Sequence, residues 1–369
     1  MDNLAFYLRS IIRDMMGRAC RNLAGNPREA LFALRMARRF RQSERVRARI
    51  AKAEGLEVPP SLIASIAVDC NLRCQGCYAR ASGLATDGCA THHRMLTAAQ
   101  WHAIFEEAAT LGVNFALLAG GEPLTRRNVL EAVAGVDDML FPVFTNGTLL
   151  DDSYADFFAR RLNLIPIFSI EGNADGTDAR RGAGVYAQVR EAMRRLADRQ
   201  LFFGVSITVT TANYHAVTAP AFIDDLQAMG CKSVVYVEYV PVVPGTDTLA
   251  LRETHATELA RILDARRNAF ADLILLSFPG DEKELGGCLA SGRGFFHIAP
   301  DGSAEPCPFA SHSDSHVLQL GLRGTLRSPL FRRLREATRT DWSHTGGCTL
   351  FEHRAAIQTW LTSPPAEHA

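Results

Sequence analysis

Cys70, Cys74 and Cys77 stand within Asp69-Cys-Asn-Leu-Arg-Cys-Gln-Gly-Cys-Tyr78, a C-x3-C-x2-C run. Three thiolates this close converge only if the loop that carries them wraps around something. Zinc normally takes four protein ligands, and no fourth Cys or His lies at ordinary spacing. A cubane iron–sulfur cluster held by three cysteines leaves one iron open, which is useful for catalysis. A structural zinc loop and a chance grouping are the blander readings. Six further cysteines, at 20, 89, 231, 288, 307 and 348, make the count odd. In a chain expected to be cytoplasmic, that argues against a disulfide framework and toward metal or reactive thiols.

Chemistry of this kind needs a scaffold that aims the loop. From residue 61 onward the sequence alternates between apolar runs and amphipathic stretches. Strands are predicted at 61–68, 113–119, 140–145, 164–170, 201–210 and 233–240. Helices are predicted at 97–111, 126–134, 151–160, 185–199, 219–229 and 252–270. Such alternation means parallel β/α units, whose functional loops follow the strand C-termini. Six strands fit a partial (β/α)6 TIM-like barrel, an α/β fold, over residues 61–280. Residues 281–369 lose the alternation and become rich in Gly, Cys, His and Pro, as expected of a small α+β module. Residues 1–60 read as a basic helical extension, with Gly25-Asn26-Pro27 between two helices and Pro59-Pro60 at its end.

The chain has 369 residues, 47% of them hydrophobic and 22% charged, which excludes a disordered or fibrous protein. No apolar run reaches the roughly 18 residues of a membrane span, and Arg9 and Arg13 interrupt the apolar N-terminal stretch as no secretory signal would. Residues 1–58 hold 13 basic and 6 acidic side chains, against 27 and 34 in the remainder. Few aromatics interleave the basic stretch, so nucleic acid is not an expected partner. The basic helices either pack across the barrel or make peripheral contact with an anionic surface such as the inner face of a membrane.

Further motifs fall after successive strands. Gly120-Gly121-Glu122-Pro123 follows the second, Thr145-Asn146-Gly147 the third and Ser169-Ile170-Glu171-Gly172 the fourth, with Arg180-Arg181-Gly182 beyond. Two adjacent glycines let backbone approach a ligand closely, and a carboxylate accepts from a cation. Together with the cysteine run, these motifs resemble the radical S-adenosylmethionine (SAM) superfamily over residues 61–240. The resemblance implies a [4Fe–4S] cluster on Cys70, Cys74 and Cys77, with SAM chelating the open iron. It implies that Gly120, Gly121 and Glu122 receive the SAM ammonium group and that Ser169 and Glu171 contact its ribose or carboxylate. The reduced cluster then cleaves SAM to methionine and a 5′-deoxyadenosyl radical, which takes a hydrogen atom from an unactivated C–H bond. A flavodoxin or ferredoxin is the implied reductant, and a small molecule or a peptide the implied substrate. In this family an aromatic near the adenine usually precedes the third cysteine. Here that position is Gly76, and Tyr78 is the ring proposed in its stead.

The C-terminal cysteines have their own pattern. Cys288 and Cys307 flank a hairpin signalled by Pro300-Asp301-Gly302, and Cys348 follows about forty residues later. This resembles the auxiliary-cluster modules called SPASM and twitch, the twitch form being the better fit, and implies a second iron–sulfur cluster. No fourth cysteine occurs in 349–354, which leaves His344, Glu352, His353 or an open iron. Cys20, Cys89 and Cys231 read as structural. His92 and His93 sit in a loop expected to overhang the first cluster, and Glu238 and Tyr239 end the sixth strand. Two readings compete with the small-molecule or peptide enzyme: a radical SAM enzyme acting on a membrane lipid or isoprenoid, and a zinc-binding scaffold protein without catalysis.

Overall fold

The computed structural model describes residues 27–86, 95–270, 272–283, 285, 287–340 and 348–362. The first predicted helix, Cys20, Cys89, His92, His93 and His344 lie outside them.

Seven strands form a parallel run in chain order: β1 (Ser61–Ala67), β2 (Phe115–Gly120), β3 (Phe141–Thr145), β4 (Leu164–Ile170), β5 (Gly204–Val209), β6 (Ser233–Glu238) and β7 (Ile274–Phe278). The sequence reading stopped at six. Ile274–Phe278 is a short apolar run that follows the helix Glu253–Ala269 and pairs with β6 from Ser233↔Ile274 to Val237↔Phe278. Past β1, the sheet continues through β8 (His297–Ile298), parallel to it, and β9 (Ala304–Glu305), antiparallel to β8. The predicted hairpin is therefore present, and its strands extend the barrel's own sheet. Because β1 pairs with β8 and not with β7, the barrel stays open.

Local signals set the helices. Thr97 and Gln100 form a capping box that starts Ala98–Thr110, and the Asp151 carboxylate accepts from Tyr154 N at 2.9 Å to start Asp152–Arg160. Trp101, Phe105 and Phe141 are fully buried between helices and sheet. Helix α1 (Pro27–Glu54) lies against the sheet: Met36 and Phe40 bury with Leu140, Ile165 and Ile167, and the Phe40 and Phe115 rings stand 4.9 Å apart. Burying such side chains contributes about 2 kcal/mol each. Arg35 and Arg39 tie the same helix to Asp137 and Asp138. Packing across the barrel is thus what α1 does, although Leu31, one of the apolar residues that suggested docking, is 70% exposed.

A buried polar chain joins β1 to the hairpin. Ser65 Oγ lies 2.8 Å from His297 Nε2, and His297 Nδ1 lies 2.7 Å from Glu305 Oε2. Ser65 and His297 are wholly buried. This Ser–His–Glu array has no access for a substrate and acts as a staple between barrel and module.

Candidate active site

β1 carries a register irregularity against β2 between Ser65 and Ala67, just before the cysteine loop. Arg126 donates to the Ile66 carbonyl at 3.2 Å there, and to Leu96 O at 3.0 Å. The Gly-Gly-Glu turn meets the chain at the same place. Gly121 N donates to Ala67 O and Glu122 N to Asp69 O, both at 2.7 Å. A Cβ at Gly120 (φ +118°) would stand 2.3 Å from Ala67 O, and one at Gly121 2.3 Å from Asp69 O. The two glycines are therefore required first by the close approach of this turn to the root of the cysteine loop. Their backbone also lines the cavity described below.

The loop is pinned from three sides. Arg80 donates to Leu72 O at 2.7 Å; Gln75 N donates to Arg180 O at 2.9 Å; Arg180 Nε donates to Gln75 O at 3.1 Å. Asn146 donates to Asn71 Oδ1 at 2.9 Å, and Asn71 in turn to Thr148 Oγ1 at 2.8 Å. Cys70, Cys74 and Cys77 are thereby all half-buried on the wall of one cavity of about 510 Å³. Burial pushes the Cys70 and Cys74 thiols up, and the neighbouring thiols add to the shift. Against it, Arg181 stands with Nη1 4.0 Å from Cys74 Sγ. Among the described residues no three His, Cys, Asp or Glu side chains could hold a single metal ion. A tetrahedral zinc would draw its sulfurs to roughly 4 Å of one another, whereas a cubane binds each thiolate on a separate iron. Three thiols within electrostatic reach of each other, but not converged on one point, fit the cubane.

Glu122 is almost wholly buried. Its Oε1 accepts from Leu124 N at 2.9 Å and Thr145 Oγ1 at 2.7 Å, and its Oε2 from Asn146 N at 2.8 Å. Burial raises its pKa, and these three hydrogen bonds lower it. The carboxyl thus locks the end of β2 to the end of β3, and Oε2 keeps acceptor capacity. Ser169 lines the cavity; Glu171 lies behind the wall, where its Oε1 binds both Arg180 and Arg181. The two arginines themselves line the cavity, and Arg180 also donates to Thr208 Oγ1 at 2.7 Å. Tyr78 lines the cavity with its ring 5.2 Å from that of Phe309 in the C-terminal module. The ring found against Gly76 (φ +65°) is that of Tyr239: a Cβ there would stand 2.8 Å from its hydroxyl.

The sequence reading singled out the Arg180-Arg181-Gly182 motif without assigning it a role, and left Tyr239 undecided between the barrel interior and the substrate. It left Glu238 undecided; this residue lines the cavity, 4% exposed, and its carboxyl has no hydrogen bond or ion pair among the described residues. Burial beside Asp281 pushes its pKa up to about 7.

In the C-terminal part, Ser291 N donates to Pro306 O at 3.1 Å, which sets the Cys288 and Cys307 segments side by side. Cys288 and Cys307 are buried and Cys348 half-buried, all in the main core. Burial pushes all three thiols up, and each of Cys288 and Cys307 also feels Cys348.

A parallel β/α barrel with a thiol-bearing loop at its strand ends is a scaffold for many chemistries, and comparison narrows them. Residues 65–218 match the model of the Radical SAM superfamily, so this chain carries a radical SAM domain and is an enzyme. Its cofactors are accordingly a [4Fe–4S] cluster and SAM. It is 25% identical to the PqqA peptide cyclase of Granulibacter bethesdensis over 68% of this chain and 68% of that protein. It is also 25% identical to the AdoMet-dependent heme synthase of Methanosarcina barkeri, over 80% and 89%. In fold it resembles Streptococcus suis SuiB bound to S-adenosylmethionine, with TM-score 0.66 and 17% identity over 93% of this chain and 84% of that one. No helix of the described residues is long and apolar enough to cross a membrane.

Proposed function

We propose that Cys70, Cys74 and Cys77 hold the catalytic [4Fe–4S] cluster, and that SAM and a small-molecule or peptide substrate share the cavity these thiols line. The observation that carries this reading is the convergence on one cavity of the three thiols, the Gly120–Gly121–Glu122 turn, Ser169 and the two arginines. When bound, the reduced cluster supplies the electron that splits SAM and releases the radical that takes hydrogen from substrate. The chain's own residues do the positioning. The free acceptor capacity of Glu122 and the backbone of Gly120 and Gly121 suit an ammonium group, and Ser169 offers a hydroxyl nearby. Arg181, held against Glu171, keeps a cation beside Cys74 and favours its thiolate. Tyr78 and Tyr239 close the wall with aromatic rings. Cys288, Cys307 and Cys348 hold a second, auxiliary cluster, and a flavodoxin or ferredoxin delivers the electrons. A peptide substrate has support in the relatives, one named a peptide cyclase and another solved as SuiB bound to precursor peptide SuiA.

Two observations favour a second reading, a lipid or isoprenoid substrate. The cavity continues down the barrel past Ile63, Leu117, Phe144, Ile167, Val235 and Leu276, an apolar passage along the strands. On α1, Arg38, Arg41, Arg45 and Arg49 are exposed at helical spacing, on a face suited to an anionic surface.

Iron and sulfide content after anaerobic reconstitution, together with 5′-deoxyadenosine release on reduction, tests the proposal. About eight irons per chain are expected. About four would keep the catalytic centre and remove the auxiliary one, and zinc without iron would overturn the assignment of the thiols.

A further inference from the structure

The C-terminal thiols lack a fourth cysteine, and the structure puts a different acid beside them. Glu282 lies in the short turn Gly280–Lys283 after β7 and is 4% exposed. Its Oε1 accepts from Leu289 N, next to Cys288, at 3.0 Å. The Arg293 guanidinium, which donates to Cys288 O at 2.6 Å, is its cationic neighbour. Cys288, Cys307 and Cys348 come from three separate segments, yet the Glu282 carboxyl is an electrostatic neighbour of every one of them. The other acid nearby, Glu352, is exposed and neighbours Cys348 alone. A backbone hydrogen bond thus holds a buried carboxyl at the Cys288 segment, which itself lies alongside the Cys307 segment.

We propose that Glu282 is the fourth protein ligand of the auxiliary cluster, giving a donor set of three thiolates and one carboxylate. The inference rests on the auxiliary-cluster reading above. It deepens that reading, because a cluster with all four irons held by the protein has none open to substrate. Its work is then confined to carrying electrons. A hard oxygen on one iron also makes that site chemically distinct from the other three.

The test uses the full chain with the catalytic thiols removed (Cys70→Ala, Cys74→Ala, Cys77→Ala), so that any iron reports on the C-terminal site alone. This parent should reconstitute about four irons and show the paramagnetic signal of a reduced cubane. Adding Glu282→Ala should cost about one iron in four and give a three-iron signal after mild oxidation. Glu282→Gln, nearly isosteric, controls for folding and should weaken iron retention in the same direction. Glu282→Cys should restore four irons with a shifted spectrum and midpoint potential. If Glu282→Ala and Glu282→Gln match the parent in iron content, spectrum and potential, Glu282 is not a ligand. A parent that binds no iron would overturn the auxiliary cluster itself, and this proposal with it.

Discussion

Two groups of three cysteines lie in opposite surroundings. Cys70, Cys74 and Cys77 are spaced within one short loop and line a cavity. Cys288, Cys307 and Cys348 come from three segments, pack into the main hydrophobic core and are absent from that cavity's wall. In the first arrangement the thiols face a cavity that a ligand can enter, and in the second they are packed among apolar side chains. Compactness in sequence serves a site that must open, because one loop pinned by Arg80 and Arg180 can carry all three thiols. Assembly from distant segments makes the second group depend on how the residues after β7 pack against the sheet.

The sharpest way to break the comparison is at the open site. Cys74→Ala should abolish reductive SAM cleavage, a loss of at least about a thousandfold in 5′-deoxyadenosine release, while the second cluster persists. Release undiminished in that variant would show that this loop is not the catalytic one. The converse change, Cys307→Ala, should remove about four of eight irons and leave SAM cleavage in place. Iron content unchanged by Cys307→Ala would mean that the enclosed group is merely buried thiols.

How much of this could be read beforehand follows from the same contrast. The cysteine loop and the turns after β2, β3 and β4 were legible because each is a local run placed by an apolar strand, and the strand ends agree with expectation to within a few residues. β7 was lost because five residues without alternation carry little periodic signal. The double use of Gly120 and Gly121, packed on Ala67 and Asp69, depends on β1 and β2 being neighbours, which spacing alone does not reveal. Glu282, Tyr239 and the Ser65–His297–Glu305 chain were out of reach for the same reason: each has a deciding neighbour, Cys348, Gly76 and Ser65 in turn, that lies tens to hundreds of residues away.

That buried chain offers the next test, because it couples the two regions. His297→Ala would leave Ser65 Oγ and the Glu305 carboxyl buried without their partner, at a cost of about 3–5 kcal/mol. Chemical denaturation of the variant should show the lost stability. An unchanged midpoint would mean that the module is held by apolar packing alone.

The smallest effect expected is at Glu238, on the cavity wall where the two regions meet. Its carboxyl has no partner among the described residues, and Asp281 adds negative charge nearby. With its pKa pushed from 4.5 up to about 7, the folded apoprotein holds the proton that the unfolded chain has already released. Stability from this group is therefore intact below about pH 4.5 and falls as pH rises through about 7, by at most about 3 kcal/mol. Glu238→Gln should stabilise the apoprotein at pH 8 and make little difference at pH 5. Equal denaturation midpoints for wild type and variant at pH 8 would show that the carboxyl is solvated after all. A gain confined to pH 8 would mark Glu238 as a charge held ready, in a wall otherwise dominated by apolar groups, for a cationic or hydrogen-bond-donating group of the substrate.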